Sequence, residues 1–172
     1  MNMVAETAIR KLRELRYLAG ARDILGTPPA AVRDDGVIVF SMIGTRVLLP
    51  YLVAAKSLHR QLGMGRFAIL DDGTLTAADR KVLAHHLGDP RIFAIADVDP
   101  APCPNGGCWD RLLTLLDLRR DHYVIQLDSD TVTLGPVPEV AEAIAQGRNF
   151  TLKGEADAEW MTVEQFVASP PF

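Results

Sequence analysis

The sequence predicts an α/β fold, a three-layer sandwich in which a mostly parallel sheet lies between helices. From residue 36 onward, short apolar runs alternate with helical stripes, an order that is typical of strand–helix–strand units. Turn residues and helix-capping signals separate these segments. The 172 residues, 48% of them hydrophobic, suffice for one domain with a core. We expect this domain at 36–172, after an N-terminal helix and linker at 1–35.

The N-terminal segment, residues 5–25, has the pattern of an amphipathic helix. Apolar residues recur at helical spacing at Ile9, Leu12, Leu15 and Leu18. Five basic residues favour contact with an acidic membrane surface, but three acidic residues dilute their charge. We therefore expect the helix to pack on the domain or on a partner protein, with a peripheral membrane contact as the alternative.

Three strands and two helices are predicted next. Apolar runs place the strands at 37–41, 66–70 and 92–95. The first helix begins near Thr45 and accepts Pro50 in its first turn, where a missing N–H is tolerated. The second follows Thr76, which with Asp79 has the pattern of a capping box, and it stops at Gly88.

The second half of the domain continues the alternation. A loop rich in proline and glycine leads to a predicted helix at 109–120 and then to a strand that begins at Tyr123. A further helix begins at Pro138 and ends near Gly147. We expect a last strand at 150–153.

The strand that begins at Tyr123 leads into two carboxylates, Asp128 and Asp130. Residues i and i+2 of an extended strand point to one face, roughly 7 Å apart. Two carboxylates at the end of a buried strand repel each other and are costly to desolvate, unless a cation lies between them. Such oxygen ligands suit Mg²⁺ or Mn²⁺, which keep other positions for water and phosphate. The sequence therefore predicts a metal-bridged diphosphate site.

Two other predicted strands also end in polar residues. Ser41 ends the first strand, and Asp71 and Asp72 end the second. In open parallel sheets, ligands bind beyond the carboxyl ends of the strands. We therefore expect these three residues to line one crevice with Asp128 and Asp130.

The segment 127–131, Leu-Asp-Ser-Asp-Thr, resembles the DxD motif of GT-A fold glycosyltransferases, the nucleotide-diphosphosugar transferases. Residues 108–113, Cys-Trp-Asp-Arg-Leu-Leu, resemble the helix that brings a basic residue to the nucleotide sugar in that family. Asp71-Asp72-Gly73 resembles the end of its second strand. The resemblance covers residues 37–153.

This resemblance implies a metal-dependent glycosyltransferase. Asp128 and Asp130 would hold Mn²⁺ or Mg²⁺ on the diphosphate of a nucleotide-sugar donor, with a UDP-sugar expected, and Asp128 would also meet the ribose. Arg111 would approach the donor. Ser41, Asp71 and Asp72 would line the nucleotide pocket. The acceptor and the catalytic base are not assigned. Since family members usually continue beyond this length into an acceptor half, we expect donor binding more than autonomous transfer.

Two alternatives remain. One is a non-catalytic nucleotide-sugar-binding fragment. The other is a phosphatase of the haloacid dehalogenase type, in which Asp128 would be the nucleophile and Asp130 the acid/base. The order of motifs argues against the phosphatase, in which a lysine and an acidic pair normally follow the nucleophile motif. Here Asp71 and Asp72 precede the DxD segment, and Lys153 is the only lysine that follows it.

The composition of the chain restricts the kinds of partner that it is expected to bind. A net charge of -4 argues against nucleic acid as a ligand. No apolar run approaches the ~18 residues that cross a bilayer, and the first residues lack the apolar core of a secretory signal. We expect a cytoplasmic protein.

Overall fold

A computed structural model of the protein describes residues 3–103, 108–151 and 164. This part of the chain contains a four-stranded, all-parallel sheet and five α-helices, which confirms the predicted α/β class. The strands are β1 (Val37–Ile43), β2 (Arg66–Asp71), β3 (Arg91–Ala94) and β4 (Tyr123–Gln126). The helices are α1 (Met3–Ala21), α2 (Leu48–Leu62), α3 (Ala77–Leu87), α4 (Trp109–Leu118) and α5 (Pro138–Ala145).

The strand order in the sheet is β3-β2-β1-β4. The chain moves in one direction from β1 through β2 to β3, and then returns past β1 to add β4 on its other side. Because parallel crossovers are right-handed, this reversal moves the connecting helix to the opposite face of the sheet. A topological switch point therefore lies between β1 and β4.

Both faces of the sheet are covered. On one face, α2, α3 and α5 bury Val39 and Ile69 among their apolar residues. On the other face, α4 contributes Leu118 to a smaller cluster with Phe40 and Leu70. The double burial of β1 explains why its sequence is continuously apolar instead of alternating.

The local signals define the helix boundaries well. Thr76 and Asp79 form the predicted capping box, and Gly88 ends α3 with a left-handed backbone (φ 65°). Pro50 lies in the first turn of α2, as predicted. The predicted strand at 150–153 is not found at residues 150 and 151, and residues 152 and 153 lie outside the described part.

The N-terminal helix packs on the domain only in part. It contacts α2, and its last residue, Ala21, is buried. Leu18 is half-buried, whereas Ile9, Leu12 and Leu15 are exposed. These three residues therefore do not pack on the domain, and a contact with a partner protein or a membrane stays a prediction. No helix in the described ranges is long and apolar enough to cross a membrane.

One histidine lies in the core. His59 of α2 is 6% exposed, its ring centroid lies 5.5 Å from that of Phe67, and its Nε2 has no hydrogen-bond partner among the described residues. Burial lowers the pKa of His59 from its ordinary value of 6.5, against weaker raising effects from the Gly65 backbone and Asp35. The folded protein therefore favours the neutral ring.

This burial predicts a loss of stability in mild acid. A group whose pKa is lower in the folded state contributes fully above its unfolded pKa, and the contribution is lost as the pH falls from that value toward the folded one. We expect the melting temperature of the wild type to fall as the pH drops from about 7.5 to about 5.5, across the ordinary histidine range. His59→Leu should fall less steeply in thermal unfolding followed by circular dichroism. Equal slopes for the two proteins would contradict the assignment.

Candidate functional site

The chain beyond β4 is held against β1 at the switch point. The Leu127 N–H donates to the Phe40 carbonyl at 2.9 Å, which extends the ladder by one residue past the end of β4. The Ser41 hydroxyl donates to the Leu127 carbonyl at 2.7 Å. These two bonds fix the backbone that enters Asp128.

Residues 128–131 form a turn. The Thr131 hydroxyl donates to the Asp128 carbonyl at 3.0 Å, and Ser129 and Asp130 are the turn residues between them. β4 ends at Gln126, so the two carboxylates do not lie on an extended strand. The prediction that strand alternation places them on one face is therefore wrong, and the turn decides their relative position.

The carboxylates of this turn are exposed rather than buried. Asp128 and Asp130 are both exposed residues, and the Asp128 side chain retains 60% of its accessible surface. The desolvation cost expected from the sequence is therefore small, because hydrated carboxylates need no buried counter-ion.

One cation already lies beside the turn. Arg111, in the first turn of α4, places its Nη1 3.2 Å from Asp128 Oδ1. Since both partners are partly solvated, this ion pair contributes less than about 1 kcal/mol to stability. Its main effect is to place a guanidinium at the candidate site.

The far end of the same loop is tied to a helix. The Thr133 N–H donates to the Ser57 hydroxyl of α2 at 3.0 Å. The loop that carries Asp128 and Asp130 is therefore held on one side by β1 and on the other by α2. Val132 and Leu134 in this loop are exposed.

Ser41 has a structural function in this arrangement. It is 1% exposed, and its hydroxyl donates its hydrogen bond to the Leu127 carbonyl. The side chain thus holds the backbone just before the turn. A direct contact between Ser41 and a nucleotide stays a prediction.

Asp71 closes the connection between β2 and α3. It is 3% exposed and forms an ion pair with Arg80 of α3. Its Oδ1 accepts hydrogen bonds from the N–H groups of Gly73 at 2.8 Å and Leu75 at 3.1 Å. Both carboxylate oxygens are therefore engaged within the protein. A contact of Asp71 with a ligand stays a prediction.

Asp72 is exposed and links two loops. Its Oδ1 accepts hydrogen bonds from the Thr74 N–H at 3.0 Å and the Thr74 hydroxyl at 2.6 Å, and Thr74 Oγ1 accepts from the Thr45 N–H at 3.0 Å. A Cβ at Gly44 would meet the side-chain oxygens of Asp72 and Thr74. A larger residue at this position would therefore require these two side chains to move.

The predicted residues form two groups at the carboxyl edge of the sheet. Ser41, in the carboxyl half of β1, bonds to Leu127, and Arg111 pairs with Asp128 in the segment after β4. Asp71, by contrast, is the last residue of β2, and Asp72 follows it. No hydrogen bond or ion pair between described residues joins the two groups. Three further residues hold these loops in place: Arg80, Thr74 and Ser57. No sequence pattern predicts these contacts.

The described residues offer few metal ligands. Across 3–103 and 108–151, no group of three or more His, Cys, Asp or Glu is arranged to hold a metal ion. Cavities of 990 Å³, between β3 and α4, and 830 Å³, outside α2, are not lined by Asp128 or Asp130. A cation at the turn would therefore take most of its ligands from a bound molecule and water.

Comparison of the chain with protein-family models, with curated proteins and with solved structures finds no match. The sheet and helices of the described residues define the class of the protein as α/β with a parallel sheet.

The different burial of the two neighbouring aspartates predicts different effects on stability. Asp71→Asn should lower the free energy of unfolding by about 2 kcal/mol, because it weakens the bond to Arg80 and leaves buried groups poorly paired. Asp72→Asn is the matched control: its amide oxygen still accepts from Thr74, so the change should stay below about 0.5 kcal/mol. Urea unfolding of both variants measures this difference. Equal losses would contradict the structural function of Asp71.

Proposed function

We propose that the protein binds a nucleotide-diphosphosugar through a divalent cation held by Asp128 and Asp130, as the donor-binding part of a GT-A glycosyltransferase. The observation that carries this proposal is the position of the 128–131 turn at the switch point between β1 and β4. Open parallel sheets bind ligands at this point, because the loops on either side diverge and leave a crevice.

The chemistry of the turn fits a diphosphate-bound cation. Exposed carboxylates suit Mg²⁺ or Mn²⁺, which lose their water reluctantly and are often held by one or two carboxylates plus phosphate oxygens. Two protein carboxylates are therefore sufficient when the donor supplies the other oxygens. The exposure of Asp128 and Asp130 is compatible with a site that is completed by its ligand.

Arg111 and the start of α4 add positive potential. The guanidinium of Arg111 pairs with Asp128, and the same donor group suits a phosphate oxygen. The first turn of α4 also lies at the positive end of the helix dipole. An anionic donor would therefore meet favourable charge from the helix side of the crevice.

In the proposed reaction, the residues in and around the 128–131 turn have separate functions. Asp128 and Asp130 orient the cation, and Arg111 supplements its charge. Ser41 and Ser57 keep the loop in place. When bound, the cation neutralises the charge that develops on the leaving diphosphate. The catalytic base and the acceptor site are not assigned to any described residue.

Donor binding can be tested directly by thermal shift. We expect UDP to raise the melting temperature by about 5 °C at concentrations roughly a hundredfold above its Kd, and only with Mn²⁺ or Mg²⁺ present. Asp130→Asn should remove this shift, because an amide is a weaker cation ligand than a carboxylate. Asp121 is an exposed aspartate that precedes β4, at the amino ends of the parallel strands. The control variant Asp121→Asn should therefore keep the shift in melting temperature.

Several outcomes would contradict the metal assignment. An unchanged shift in Asp130→Asn, or a shift without divalent cation, would remove the basis for the proposal. If UDP binds as expected, release of UDP from a panel of UDP-sugars separates an enzyme from a binding module. Hydrolysis of p-nitrophenyl phosphate with Mg²⁺, in the absence of UDP binding, would instead favour a phosphatase.

A further inference from the structure

The N-terminal helix exposes apolar side chains that the fold does not use. Ten large hydrophobic residues are exposed in the described part of the chain, and five of them lie between residues 9 and 25. Ile9, Leu12 and Leu15 are 48%, 58% and 65% exposed and follow one another at helical spacing. A contiguous apolar stripe on a solvent-exposed helix is typical of an interaction surface.

The charged residues of α1 are distributed unevenly around this stripe. At 100° per residue, the stripe of Ile9, Leu12 and Leu15 is centred on Leu12. Arg16 lies about 40° from this centre, and Lys11 and Arg13 lie about 100° from it on either side. Arg10 and Glu14 lie about 160° from the centre, on the opposite side of the helix. The half that carries the apolar stripe is therefore positively charged on both of its borders.

The flanking cations are not neutralised within the fold. Lys11, Arg13 and Arg16 form no ion pair with a described carboxylate. Among the described side chains of α1, Leu18 is half-buried and Ala21 is buried, and they lie about 120° and 180° around the helix from Leu12. The stripe and Arg16 thus face outward together.

We propose that α1 lies on the surface of a membrane that contains anionic lipids. The stripe of Ile9, Leu12 and Leu15 enters the boundary between headgroups and acyl chains, and Lys11 and Arg16 extend their ammonium and guanidinium groups to the lipid phosphates. Charge complementarity favours this partner: the cations border the apolar stripe, while Glu14 points away from it.

Vesicle sedimentation of the full chain tests the proposal. We expect binding to phosphatidylcholine vesicles that contain phosphatidylglycerol, weaker binding without it, and a loss of affinity as salt rises. Leu12→Glu with Leu15→Glu should reduce the partition coefficient more than about 100-fold. Arg16→Gln should reduce it roughly fivefold.

The matched control uses the opposite side of the helix. Arg10→Gln removes the same charge as Arg16→Gln and should change the partition coefficient less than about twofold, because Arg10 points away from the lipid. Circular dichroism checks that each variant keeps its helix content. Equal effects of Arg10→Gln and Arg16→Gln, or no binding by the wild type, would overturn the proposal. A dimer in analytical ultracentrifugation that Leu12→Glu with Leu15→Glu dissociates, without vesicle binding, would overturn it in favour of a protein interface.

Discussion

The place of β1 in the interior of the sheet governs most of what the protein can do. β1 is paired on one side with β2 and on the other with β4, and its two faces are buried under helices from both layers. Because the chain reverses its direction of winding at this strand, the connections after β1 and β4 separate there. The 128–131 turn is thereby exposed at the point where the layers part.

Aspartates at the carboxyl edge of the sheet differ in function according to their burial. Asp71 accepts hydrogen bonds from two backbone amides and pairs with Arg80, so its charge is balanced within the fold. Asp128 and Asp130 keep much of their contact with water. Groups of the first kind stabilise a loop, whereas groups of the second kind stay available to a ligand.

The sequence predicts those features that depend on neighbours along the chain. The capping box of Thr76, the stop at Gly88 and the tolerance of Pro50 are local, and the structure confirms each. The alternation of strands and helices likewise predicts the parallel sheet. The ion pairs of Asp71 with Arg80 and of Asp128 with Arg111 could not be predicted, because both arginines reach the aspartates through the folded arrangement of separate helices.

The anchoring of the loop at both ends has an entropic consequence. A free segment of this kind would sample many conformations and would lose that freedom when it closes on a ligand. The bonds from Ser41 to Leu127 and from Thr133 to Ser57 restrict this freedom during folding instead. The segment between them is thus pre-organised, so that binding of the proposed donor would require little further ordering of the backbone.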